Sequence, residues 1–198
     1  MSSGAVALAL GAAVLHAGWN VLLFHYRGMW GTSGAFSLSS AIEDVAEAVR
    51  FLRDPANAAK YRIDPQSLVV IGHSFGAFLA GYEGAHDPDI RAVAMISAVN
   101  LGRINADPKE RESRLKRWET QLHPVRGATA SGLFVEAGRH SKDWDYVQWA
   151  AIRQKSSVAL EHIAVQTDHS FSDRRIALQT IVIEWLEKLK RNASSERR

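Results

Sequence analysis

Gly72-His73-Ser74-Phe75-Gly76 is the stretch of this chain best suited to covalent chemistry. A serine hydroxyl attacks a carbonyl carbon poorly until a neighbouring base removes its proton during the attack. The residues around Ser74 would help present it. A branched apolar run, Leu68 to Ile71, precedes the pentapeptide, and a helix face of Ala77, Ala80 and Gly81 follows it. This order predicts a buried strand, a tight turn and a closely packed helix, with the serine projected from the turn. Such a turn is strained, and small residues two before and two after the serine, here Gly72 and Gly76, would let the backbone approach itself. The amide of Phe75, first in the new helix, would then point at the oxygen of a carbonyl under attack. The plainer reading is an ordinary strand-to-helix turn with a capping serine.

The chemistry also needs an imidazole. Of eight histidines, His169 is the best placed, in a polar loop (Asp168-His169) after a strand pattern and near the end of the chain. His73 is expected to point away from Ser74, while His25 and His162 lie within strand patterns where ordinary structural histidines are the bland reading. No H-E-x-x-H occurs, and no tight group of histidines and carboxylates is evident, so neither a metal nor another cofactor is expected. Zero cysteines exclude disulfides, thiolate metal sites and a cysteine nucleophile.

These residues need a scaffold, and the rest of the chain predicts an α/β one. Ala5 to His16 reads as a helix, and Asn20 to Tyr26 has the apolar density of a buried strand. Arg27 to Gly34 is a glycine-rich loop, but its spacing matches neither G-x-G-x-x-G nor a P-loop. Ser40-Ala41-Ile42-Glu43 reads as a capping box, opening a helix with Ile42, Val45, Val49 and Leu52 on one face. Asp64-Pro65 and His86-Asp87-Pro88 mark turns, and Ala92 to Ser97 is a further strand. Residues 102–127 carry a charged helix with a thin apolar face of Leu115, Trp118 and Leu122, which reads equally as a lid over a site or as an exposed connecting helix. Ala128 to Gln154 admits two readings. Leu133-Phe134-Val135 is one candidate strand, but Leu133, Ala137, Ser141, Trp144, Val147 and Ala151 mark a helical face, which is the preferred reading and would carry the lid to residue 154. Val158 to Val165 is then a strand and Ile176 to Lys190 a closing helix. Alternating strands and helices imply a mostly parallel sheet covered on both faces. One domain over residues 5–190 and a basic, frayed tail over 191–198 complete the expectation.

Composition narrows the function. In 198 residues, 46% are hydrophobic and 23% charged, the balance of a soluble globular protein long enough to bury a core. The net charge of +3 sits partly in the tail, so nucleic acid is not an expected partner. The apolar start has no basic residue ahead of it and is too short to span a bilayer, so no membrane role and a cytoplasmic location are expected.

GHSFGA at the turn, FHYRG at the end of the second element and TDHSFSDRR before the last helix together resemble the α/β-hydrolase superfamily, on its dienelactone-hydrolase-like and prolyl-oligopeptidase-like side. The resemblance runs from about Gly18 to the last helix. It implies Ser74 as nucleophile and His169 as general base, in the chain order of that fold. Dienelactone hydrolases proper carry cysteine at the turn, so this chain stands nearer esterases and serine peptidases.

The resemblance also implies two departures. The loop that supplies a second oxyanion amide in such folds precedes the first helix here, so that donor and the early strands are expected to be missing. Loss of one such donor typically costs about a hundred- to a thousandfold in turnover. A triad carboxylate is expected a few residues beyond a glycine after a late strand. If residues 133–135 are a strand, Gly138 would be that glycine, but Ser141 stands in the acid's place, leaving Asp143 or Asp145 as displaced substitutes; if they belong to a helix, the acid-bearing strand is absent and Ser74 and His169 form a dyad. The expected function is hydrolysis of a small ester or amide through an acyl-enzyme on Ser74. The alternative is a truncated relative that binds or assembles without catalysing, for which self-association would be natural. A nucleotide-binding domain built on Gly28 to Gly34 is a third and weaker reading.

Overall fold

The computed structural model describes residues 3–98, 131–137 and 160–196. Four strands form one parallel sheet whose spatial order follows the chain: β1 (Val69–His73), β2 (Ala92–Ile96), β3 (Ser131–Ala137) and β4 (Leu160–Val165). Val69 pairs with Ala92, Ala92 with Ser131, and Gly132 with Leu160. All five residues of β2 are buried, as a strand covered on both faces requires.

Side-chain alternation sorts the core into two layers. Ala92, Ala94 and Ile96 join Leu133, Val135 and Ala137 under α1 (Ser3–His16) and α5 (Arg175–Glu196), which supply Leu10, Val14, Leu178, Val182, Trp185 and Leu186. On the opposite face, Val93 packs with Val49 of α2 (Leu38–Arg53), which the short α3 (Pro55–Tyr61) follows, and Met95 packs with Ala77 of α4 (Phe75–His86). Each fully buried Leu, Val or Phe contributes about 1.5–3 kcal/mol by leaving water. The expected parallel sheet with helices on both faces is therefore present.

Three expectations are corrected. Asn20 to Tyr26 is not a strand, and Leu22, Leu23 and Phe24 are 40–50% exposed. Apolar and aromatic composition favours a pleated conformation, but a strand exists only where a neighbour accepts its ladder, and among the described residues β1 pairs with β2 alone. Residues 131–137 are a strand, against the preferred helical reading. The ambiguity has a geometric cause: Leu133 and Ala137, four apart, share a face in either conformation, and only the open position beside β2 decides between them. The capping box of α2 lies one turn earlier than read. Ser37 is the N-cap, its hydroxyl accepting from the Ser40 amide at 3.0 Å while Ser40 Oγ accepts from the Ser37 amide at 2.8 Å. Glu43, read as the box's acid, instead faces Arg27 Nη1 at 3.1 Å.

α5 runs to Glu196, beyond the predicted end at Lys190. The lid residues 102–127, and residues 138–154 with Gly138, Ser141, Asp143 and Asp145, lie outside the described residues.

Candidate functional site

Ser74 is the single residue between the end of β1 and the start of α4, and it holds φ 59° and ψ −119°. A non-glycine residue in such a region costs about 1–3 kcal/mol and persists only where its surroundings over-determine it. Here they do. The Ser74 amide donates to the Ile96 carbonyl at 2.9 Å, and the Ser74 carbonyl accepts from the Ala77 amide at 3.0 Å. Gly72 makes the bend possible, because a Cβ there would collide with the carbonyl of Gly76 and the amide of Ala77. Gly76 differs from expectation: a Cβ on it would meet the Tyr26 hydroxyl at 3.5 Å, an ordinary contact. The approach that the sequence pattern attributes to both glycines is demanded by Gly72. Phe75 opens α4, so its amide is one of the N–H groups at the helix start that lack an intrahelical acceptor.

His169 arrives from the far side of the sheet, in the loop between β4 and α5, and its Nε2 lies 2.9 Å from Ser74 Oγ. The loop is built rather than draped. Asp168 Oδ1 accepts from the amides of Ser170 and Ser172 at 2.9 and 3.0 Å. Thr167, fully buried, donates its hydroxyl to Asp173. Phe171, with φ 51°, is fully buried in the core beneath α1 and α5. An imidazole so placed can take the serine proton as the hydroxyl attacks and return it to a leaving group.

His73 turns its Nε2 to the main-chain oxygen of His169, 2.8 Å away. A carbonyl can only accept, so Nε2 carries the proton and Nδ1 is left as an acceptor. Among the described residues that buried Nδ1 has no partner, a condition that costs about 1–3 kcal/mol. Burial holds the His73 imidazole below the usual histidine range; the bond to the carbonyl opposes this, and repulsion from His169 reinforces it.

The other histidines stand elsewhere. His25 is exposed and edge-on to Trp30, while His162 Nε2 meets Glu136 at 3.0 Å on the neighbouring strand. Sequence reasoning missed that pair, which only the register of β3 with β4 brings together. It also missed an aromatic group beside the turn: Phe75 lies 6.3 Å from Tyr26 and 5.7 Å from Phe36, both edge-on. The glycine-rich loop serves α2, since the Arg27 amide and Nε both donate to Asp44, at 2.8 and 2.6 Å. Among the described residues, no group of three or more metal-ligating side chains occurs, and no helix is long and apolar enough to cross a membrane.

Residues 3–102, half of the chain and the half that contains the Ser74 turn, match the model of the BD-FAE family. This protein belongs to the BD-FAE family of α/β hydrolases. The BD-FAE match ends before β3 and so does not reach His169. Solved structures share the fold over most of the chain. Est1E from Butyrivibrio proteoclasticus, determined with ferulic acid bound, superposes with a TM-score of 0.73 at 14% identity, covering 93% of this chain and 82% of that one. An α/β serine hydrolase homologue from Coxiella burnetii gives 0.67 at 17% identity, over 91% and 76%. The endo-1,4-β-xylanase B of Butyrivibrio fibrisolvens is 42% identical over 50 residues, 25% of this chain, and the match spans only 8% of the xylanase.

Proposed function

We propose that this BD-FAE protein is a serine hydrolase that cleaves an ester, or an amide, of a small substrate. The observation that carries the reading is the 2.9 Å separation of Ser74 Oγ and His169 Nε2. Ser74 Oγ bonds to the substrate carbonyl carbon while its proton passes to His169, and the oxygen that gains charge faces the Phe75 amide. The carbon-to-leaving-group bond then breaks, the leaving group takes the proton from His169, and an acyl-serine remains. Water, deprotonated by the same imidazole, releases the acid and restores the hydroxyl. The rings of Tyr26, Phe36 and Phe75 flank the turn, which makes an aromatic acyl ester the first substrate class to try. That Est1E binds ferulic acid points the same way.

A fluorophosphonate probe tests the reading. Labelling of Ser74 that disappears in Ser74→Ala supports it, and a folded wild type that stays unlabelled overturns it. A second reading is a relative that binds or assembles without catalysing, favoured by the exposed apolar side chains of Leu22, Leu23 and Phe24. Turnover of feruloyl or acetyl esters that is lost in both Ser74→Ala and His169→Ala rejects it.

A further inference from the structure

Ser74 and His169 come from opposite margins of the sheet. Ser74 follows β1 and His169 follows β4, with β2 and β3 between them. Strands lie roughly 4.8 Å apart, so three spacings separate the outer pair by about 14 Å. The loop after β4 must therefore cross the ends of two strands before its imidazole can meet the serine. At its β4 side the loop is rooted by Thr167 and Phe171, both fully buried. At the far side, where the imidazole has to stand, the bond from His73 Nε2 to the His169 carbonyl ties it to β1.

We propose that His73 is a positioning residue for His169, its Nε2–H holding the main chain of the loop over Ser74. The inference rests on the serine-hydrolase reading of this pair and gives a role to a residue which that mechanism leaves idle.

Connectivity is the main argument. His73 is bonded covalently to Ser74, Ser74 Oγ is hydrogen-bonded to His169 Nε2, and the His169 carbonyl is hydrogen-bonded back to His73 Nε2. The three contacts close a ring in which backbone and imidazole of residue 169 are each referred to β1. A rotamer alone could bring Nε2 to the serine from many loop positions; a fixed carbonyl leaves very few.

The chemistry of the His73 ring supports this. The residue is 9% exposed, and among the described residues its Nδ1 has no partner. A phenyl ring would fill the same space without burying an unmet acceptor, so packing alone gives no reason for an imidazole here. What the imidazole adds is the donor at Nε2. That donor keeps its form during turnover: when His169 accepts the serine proton, a second cation with its ring centroid 5.0 Å away is opposed both by burial and by the new charge. His73 stays neutral, with Nε2 protonated, through the cycle.

The test uses the full chain and two replacements. His73→Phe keeps the ring and removes the donor, whereas His73→Gln offers an amide N–H near the position of Nε2. For feruloyl or acetyl ester hydrolysis, His73→Phe is expected to lower kcat about a hundredfold, the scale of a misplacement of about 1 Å. KM should change little, thermal midpoints should remain near wild type, and His73→Gln should recover most of the loss. Full activity in a folded His73→Phe overturns the proposal, as does a Gln variant no better than Phe at equal stability. A readout independent of turnover separates this failure from failure of the hydrolase reading. In nitrogen-15 spectra the wild-type His73 should be the Nε2–H tautomer, and the Ser170 and Phe171 amides should exchange faster in His73→Phe but not in His73→Gln. A wild type that neither labels at Ser74 nor turns over ester removes the hydrolase reading, while the tautomer and exchange data still decide whether His73 holds the loop. An Nδ1–H tautomer, or unchanged exchange in His73→Phe, shows that it does not.

Discussion

The carbonyl of Gly76 occupies the space that a side chain on Gly72 would need. The strand before Ser74 and the helix after it touch backbone to backbone, and that contact holds the serine in its unfavourable conformation. Gly72→Ala must push the first turn of α4 away from β1, whereas Gly76→Ala adds a methyl at ordinary contact distance from the Tyr26 hydroxyl. The expected loss for Gly72→Ala is about 1–3 kcal/mol or more, read as about 2–4 °C of thermal midpoint per kcal/mol. Gly76→Ala should fall within about 1 kcal/mol of wild type, since alanine suits a helix better than glycine. Equal midpoints for the two variants contradict this account of the turn.

Ser74→Ala and Ser74→Gly should both abolish probe labelling and lower ester turnover by about four to six orders of magnitude. Their stabilities should differ. Alanine keeps the strain of φ 59°, while glycine relieves about 1–3 kcal/mol of it and returns about 0.4–1 kcal/mol through a looser unfolded chain. Denaturant unfolding should therefore find Ser74→Gly the more stable by about 1 kcal/mol. The reverse order means that the conformation is not strained.

Phe171 roots the loop that carries His169. Phe171→Ala should destabilise the fold by about 3–5 kcal/mol through the cavity it leaves. Asp168→Ala removes the acceptor for two loop amides and should cost less stability, but it should lower kcat more than it raises KM. Differential scanning calorimetry beside steady-state kinetics reads both. A kcat unchanged in Asp168→Ala shows that the loop does not depend on this turn.

His73 gives a pH dependence with a definite sign. Its folded pKa lies below the ordinary 6.5 because the ring is buried. Well above 6.5 it is neutral in both states; as the pH falls through 6.5 the unfolded chain takes up a proton that the folded chain refuses, and stability declines. The thermal midpoint of wild type should fall more steeply between about pH 7 and about pH 5 than that of His73→Gln, which has nothing to titrate. Glu83, raised by its burial in α4 and by Asp87, contributes with the opposite sign: it favours the fold below its unfolded value and ceases to as pH rises through its folded one. Present in both proteins, it cancels in the comparison. Parallel curves refute the assignment of a neutral, buried His73.

The strand, turn and helix around Ser74 were legible because they are local: a branched apolar run, a glycine pair and a small-residue helix face each act on near neighbours. The parallel class of the sheet was legible from the alternation of strand and helix patterns, although β3 among its four strands was not. What depends on a distant partner was not. Asn20 to Tyr26 has strand composition but, among the described residues, pairs with no strand, and residues 131–137 needed the edge of β2 to choose between two periodicities. The capping residue of α2 was misread because Ser40, rather than an acid, returns the bond to Ser37. Ser74 and His169 were both named from sequence, and the structure brings them together, while Asp143 lies outside the described residues. His73 was read as a bystander because its partner is a main-chain oxygen 96 positions away, which no side-chain motif records.

Because the strands lie in space in the order in which they occur in the chain, a polypeptide leaving the ribosome can add each one to the margin of those already laid down. The bend at Ser74 can form as soon as β2 has emerged, since its bracing bond goes to Ile96. The imidazole of residue 169 follows many codons later, so the serine turn can be complete in the nascent protein well before His169 is made to meet it.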